Sequence, residues 1–156
     1  VWSVHAHSVW CEFEQACGGS LVGLVIDLTN TSRYYSPQEL PDGVEHLKLP
    51  IQGHSCPPQE QLDRIIGAVT AVRQRLGPRA VVVIHCTHGL NRTGFVVAEL
   101  LCKLEGYQLA EALAAFNTIR SPGLWRENYV QQLHARWGGP FPAIPQPPAW
   151  ERQHQQ

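Results

Sequence analysis

Two kinds of apolar spacing alternate along the chain: short unbroken runs, and stripes that recur every three to four residues. Leu21–Leu28 is an unbroken run that reaches Asp27, and it predicts a buried strand. Over Val44–Leu49 polarity alternates, with Val44, His46 and Lys48 on one face and Glu45, Leu47 and Leu49 on the other, which predicts a second strand. Ala80–Cys86 is a third run, expected at the centre of the sheet. Between the first two, Ser36-Pro37 opens a short helical turn to Leu40. Ile51–Pro58 reads as a loop. Gln59–Leu76 carries Leu62, Ile65, Ile66, Val69 and Leu76 on one helical face before Gly77-Pro78 stops it. The next helix, Arg92–Glu105, turns Val96, Val97, Leu100, Leu101 and Leu104 inward, pairs Glu99 with Lys103 one turn on, and ends at Gly106. Leu109, Ala112, Leu113 and Phe116 mark a further helix, and Val130, Leu133 and Trp137 a last one. Strands alternating with helices predict an α/β sheet covered on both faces. From Gly138 the chain becomes Pro-rich. That shift separates a domain over residues 1–139 from a tail or linker over 140–156, either extended or docked through Phe141, Ile144 and Trp150.

Composition narrows the function classes. With 156 residues, 44% hydrophobic and 16% charged, the chain suits one domain with a real core. No apolar run approaches a membrane span and no signal-peptide pattern opens the chain, so no membrane partner is expected. The absence of Met predicts a fragment or a chain that has lost its start. A formal net charge of −1 argues against a broad basic face for long nucleic acid, and leaves room for a local basic pocket. An odd count of 5 Cys points to free thiols in a reducing, intracellular compartment. His5, His7, Cys11 and Cys17 match no standard zinc spacing, so neither a metal nor a cofactor is expected.

The chemistry concentrates in His85-Cys86-Thr87-His88-Gly89-Leu90-Asn91-Arg92-Thr93-Gly94, which closes the third strand and opens the next helix. Backbone N–H groups of such a loop and of the first helical turn converge on an anion. Gly89 supplies the permissive backbone of a tight turn. The same amides, with Arg92, would lower the pKa of Cys86 and make it a thiolate nucleophile. Arg92 can grip two phosphoryl oxygens in a fork. Among the cysteines only Cys86 has an Arg six residues on, with a strand before it and a helix after it. The competing reading is a buried, inert thiol at a strand end.

This loop resembles the Cys-x5-Arg signature of cysteine-based phosphatases. The string HCTHGLNRTG is similar to a narrower branch, the RNA 5′-triphosphatases: the triphosphatase domain of animal- and plant-type mRNA-capping enzymes and the related stand-alone RNA 5′-phosphatases. VIDLTNTSRYY at Val25–Tyr35, GHSCP at Gly53–Pro57 and, more loosely, PGLWRENY at Pro122–Tyr129 carry the same resemblance, which runs from about Leu21 to Gly138. It implies a dual-specificity/tyrosine phosphatase-like fold with a central mixed sheet and helices on both faces. It further implies metal-independent removal of the γ-phosphate from the 5′ end of RNA through a cysteinyl-phosphate, ahead of cap addition in the nucleus. No KxDG nucleotidyl-transfer motif occurs, so a guanylyltransferase domain, like the transcription machinery, would lie outside this chain. Rival readings are an RNA phosphatase that continues to the monophosphate, a protein or phosphoinositide phosphatase, and an idle phosphate-binding module.

Carried onto these residues, the resemblance makes Cys86 the nucleophile and Arg92 the transition-state clamp. Thr93 becomes either a hydrogen-bond donor to the sulfur or an ordinary first-turn hydroxyl. His85 orients the loop or is a satisfied core histidine. Amides from Thr87, His88, Gly89, Leu90, Asn91 and Arg92 hold the phosphate; Asn91 serves as loop brace and helix N-cap together. His88 either donates to a second phosphate or is solvated. Arg33, Arg120 and Arg126 are candidate RNA or phosphate contacts, each also readable as a surface residue. Asp27 is structural support, bracing a loop or a basic side chain, because an anion facing a polyphosphate would repel it. Tyr34 and Tyr35 either stack on the first base or pack in the core. Protein phosphatases of this superfamily carry a general-acid Asp on an upstream loop. Here no Asp lies between Gly43 and Leu62, and Glu60 is the nearest carboxylate substitute.

Overall fold

The strand Val22–Asp27 (β1) is buried along its whole length, as expected of a central strand in a parallel sheet. The structure, a computed structural model, describes residues 21–152. β1 pairs parallel with Glu45–Lys48 (β2) on one side and with Val81–His85 (β3) on the other, in the order β2-β1-β3. Ile26 lies opposite Leu47 and Ile84, and Asp27 opposite Lys48 and His85. The chain reading expects a mixed sheet; among the described residues every pair is parallel. The reason is in the links, which are crossovers rather than hairpin turns. β1 reaches β2 through a loop holding the short 3-10 turn Pro37–Glu39, and β2 reaches β3 through the helix Gln59–Leu76 (α1).

The described chain divides into two compact units. The first runs to Gln52 and resumes over Gln59–His85; the second comprises Gly53–Pro58 and everything from Cys86. In the first, α1 buries Leu62, Ile65, Val69 and Val72. Its close approach to β1 depends on Gly23, where a Cβ would stand 2.6 Å from Val72 Cγ1 and Leu76 Cδ1. The register of β1 against β3 slips at the same residue.

In the second unit three helices pack together: Asn91–Glu105 (α2), Leu109–Ile119 (α3) and Glu127–Trp137 (α4). Gly106, left-handed at φ 73°, ends α2, and a Gln108–Glu111 capping box starts α3. The buried face of α2 corrects the sequence reading. Thr93, Gly94, Phe95, Val96, Ala98, Glu99 and Cys102 are buried, while Val97, Leu100, Leu101 and Leu104 are only half-buried. Contacts with α4 set this arc: the Phe95 and Tyr129 rings meet edge-on at 5.9 Å, and Glu99, 1% exposed, pairs with Arg136 instead of Lys103. A carboxylate turned inward needs a cation that can follow it, and Lys103 stays on the exposed side. Arg136→Ala leaves that buried charge unpaired and should destabilise the fold by about 3 kcal/mol. Urea unfolding checks this, and Glu99→Gln on the Arg136→Ala background should recover part of the loss.

Candidate active site

Asp27 ends β1 with its carboxylate fully engaged. Oδ1 accepts from Thr29 N at 2.8 Å and Thr29 Oγ1 at 2.7 Å, and Oδ2 accepts from Lys48 Nζ at 2.8 Å. Burial alone would raise this carboxyl; the bonds from Lys48 and Thr29, with His85 nearby, lower it instead. Lys48 Nζ also donates to Thr29 Oγ1 at 2.7 Å and Thr31 O at 2.6 Å, which pins the loop after β1. The geometry is that of a brace. His85, last residue of β3, stands 3.7 Å from Asp27 Oδ1, and its Nε2 lies 2.8 Å from the Tyr35 hydroxyl. That hydroxyl also reaches His46 Nε2 at 3.2 Å, so Tyr35 is tied to histidines of two strands, β2 and β3. Burial, then the Asp27 charge, pushes the phenol up, which keeps it a neutral donor. Arg33, in the same unit, is exposed and lies over the Tyr34 ring at 5.2 Å.

The second unit holds the loop that starts at Cys86. Thr93 Oγ1 donates to Cys86 Sγ at 3.1 Å. Burial by itself would raise the thiol, yet the net shift is downward. The Thr93 hydroxyl and amide, the Arg92 charge and the Gly89 amide together outweigh the burial. Arg92 Nη2 donates to Thr87 Oγ1 at 2.9 Å. Gly89 adopts φ 67°, and a Cβ there would stand 2.8 Å from Arg120 Nη2. Arg120 lies this close because its Nη2 donates to His88 O at 3.3 Å. Leu90, not Asn91, takes the cap position of α2. Asn91 instead accepts at Oδ1 from Trp125 N at 3.1 Å and Arg126 N at 2.9 Å, so it satisfies donors at the start of α4 and braces that segment to the loop after Cys86.

Arg126 is the most constrained basic residue of the set. Its guanidinium lies 4.4 Å over the Trp125 ring, and Nη1 sits 2.6 Å from His54 Nδ1. A guanidinium only donates, so His54 Nδ1 accepts and the ring proton belongs on Nε2. The Gly53–Pro58 loop is held by α4: Asn128 Nδ2 donates to His54 O at 3.0 Å and Tyr129 OH to Ser55 O at 2.8 Å. Sequence reasoning did not single out His54, although the GHSCP segment contained it. Of the sequence-predicted residues, Cys86, Thr87, His88, Gly89, Leu90, Asn91, Arg92, Thr93, Arg120 and Arg126 fall in this unit; Asp27, Arg33 and His85 fall in the first. Glu60 belongs to the first turn of α1. His5, His7, Cys11 and Cys17 lie outside the described residues. No described helix is long and apolar enough to cross a membrane.

A partly buried thiol held below its ordinary value by donors, with a guanidinium in the first turn of the helix that follows, can attack phosphorus and hold the product as a cysteinyl-phosphate. Thr93→Ala removes the leading donor to the sulfur. The thiol pKa should then rise, and the acid limb of kcat/KM should move to higher pH, so that activity falls more at pH 6 than at pH 8. A pH–rate series on both proteins checks the direction.

Comparisons with known proteins agree with this chemistry. The RNA/RNP complex-1-interacting phosphatase of Homo sapiens is 39% identical over 113 residues, covering 72% of this chain and 34% of that protein. The mRNA-capping enzyme of Mus musculus is 35% identical over 133 residues, 83% of this chain and 22% of that one. The chain thus spans about a third or less of these relatives. Among solved structures, Tk-PTP in its active form superposes with a TM-score of 0.65 at 28% identity, over 80% of this chain and 83% of that one. Human DUSP28 shares the fold at a TM-score of 0.64 and 19% identity, over 85% of this chain and 84% of that one. The model of the dual specificity phosphatase catalytic domain matches residues 11–136, and the chain belongs to that family.

Proposed function

We propose that this chain is an RNA 5′-triphosphatase. Cys86 Sγ attacks the γ-phosphorus, the bond to the β-phosphate oxygen breaks, and RNA ending in diphosphate leaves. Water then hydrolyses the cysteinyl-phosphate and releases phosphate. Arg92 and the loop amides neutralise charge on the equatorial oxygens, and the Thr93 hydroxyl stabilises the sulfur as it leaves. The observation that carries this reading is the Thr93–Cys86 contact of 3.1 Å at a lowered thiol, where the loop after Cys86 enters the helix turn that carries Arg92. The RNA substrate is supported by the names of two relatives, one a capping enzyme and one a phosphatase that interacts with an RNA/RNP complex. Positive charge from the protein stands where most phosphoryl-transfer sites use divalent cations, so no metal takes part. Arg126 and Arg120 take the phosphates beyond the one attacked. The enzyme acts in the nucleus, and any guanylyltransferase is supplied from outside this chain.

A second reading, hydrolysis through to the monophosphate, is favoured by Leu90 in the loop, which resembles the stand-alone group, whereas Pro122-Gly123 resembles the capping group. One experiment addresses both. Triphosphate RNA labelled at the γ-position is incubated with the protein in excess EDTA, and the RNA product is chromatographed. Release of label with accumulating diphosphate RNA is expected; monophosphate RNA as main product supports the second reading. Strict dependence on added magnesium or manganese refutes both.

A further inference from the structure

The chain that follows α4 stays against the second unit. Pro142 is buried, and the Phe141 ring meets His134 edge-on at 5.1 Å. Ala149–Arg152 forms a helical turn (α5). Two of its side chains reach the phosphate site. The Trp150 ring lies 4.7 Å from that of His88, tilted by 31°. Glu151 Oε1 accepts from Arg126 Nη2 at 2.9 Å, in an ion pair whose side chains are only 21% and 18% exposed. With His54 on Nη1 and Trp125 beneath its plane, Arg126 is thereby occupied on three sides. A carboxylate oxygen and a phosphate oxygen are equivalent ligands for a guanidinium fork, so Glu151 stands where a substrate oxygen would.

We propose that residues 140–152 form an autoinhibitory latch, with Glu151 holding Arg126 and Trp150 resting against the His88 ring until a polyphosphate end displaces them. This rests on the reading that Arg126 receives the phosphates beyond the attacked one. The opposing function for this contact, permanent stapling of the tail, predicts no exchange with anions. An ion pair of this exposure shifts an equilibrium by up to about fivefold. The latch should weaken apparent affinity by that factor, because only the open fraction binds.

Inorganic tripolyphosphate titrated into the full chain carrying Cys86→Ser tests this without turnover. Adding Glu151→Gln should tighten tripolyphosphate binding, by up to about fivefold. Trp150→Ala, which changes no charge, should tighten it as well. Amide exchange over residues 149–152 should speed up when tripolyphosphate is added to the unsubstituted tail. Unchanged or weaker binding in either variant, or unchanged exchange, overturns the latch. Glu127→Gln removes the same charge from an exposed residue beside Arg126. Equal tightening there reduces the effect to general electrostatics and also overturns it. The probe is inorganic, so failure of RNA as a substrate sinks the triphosphatase reading without deciding the tripolyphosphate result.

Discussion

Cys86→Ser is expected to lower hydrolysis of triphosphate RNA by ~10³-fold or more while the fold and binding of the RNA end persist. The reason is the protonation state of the attacking atom. The thiol lies below its ordinary value because Thr93, Arg92 and Gly89 stabilise the anion against the cost of burial. A serine hydroxyl in the same place has no accessible anion near neutral pH, so the donors around it stabilise nothing that can attack. Arg92→Ala should behave differently and lose both binding and rate, since in the proposed mechanism its fork would engage phosphoryl oxygens before and during transfer. Single-turnover assays separate the two, and acid quenching should trap labelled phosphate on Cys86. Retention of more than a few per cent of activity by Cys86→Ser would sink the covalent mechanism.

Triphosphate RNA should be hydrolysed at least ~10²-fold faster, by kcat/KM, than a phosphotyrosine or phosphoserine peptide. The Gly53–Pro58 loop carries no carboxylate. Its His54 is engaged with Arg126, and its Cys56 thiol points to Asn128 O at 3.9 Å. Nothing in that loop is placed as a carboxylic acid to protonate a leaving group. Tyrosine leaves with a pKa of about 10 and needs that proton; a terminal phosphate leaves near pKa 6 and does not. A difference of roughly four units, fully expressed, is about 5 kcal/mol, and a general acid typically supplies ~10²–10⁴-fold. Comparable rates on a phosphotyrosine peptide would refute the preference and promote Glu60 to an acid, as would a large loss on RNA after Glu60→Gln.

Local pattern carried much of this molecule. Gln59–Leu76 matches the expected helix at both ends, and β1, β2 and β3 fall within a residue of their expected bounds. These segments are legible because burial periodicity and Gly or Pro stops act over a few residues. The buried arc of α2 was less legible. Its sequence offers apolar residues on several sides, and the choice among them was made by Tyr129 and Arg136, about thirty to forty residues downstream.

The candidate site divides along the same line. Cys86, Thr93 and Arg92 lie within seven residues of one another, so the proposed nucleophile and the donors to its sulfur follow from local spacing once a strand-to-helix turn is given. Partners far apart in the chain were decided only by tertiary structure: Asn91 with the Trp125–Arg126 backbone, His54 with Arg126, Tyr35 with His46 and His85, and Glu151 with Arg126. The same holds for the direction of the Pro-rich tail, whose composition allows an extended spacer as readily as a docked segment. Hydrogen bonds of this kind depend on where two distant backbones come to rest. That placement is set by packing of the whole unit, a quantity no local window of sequence contains.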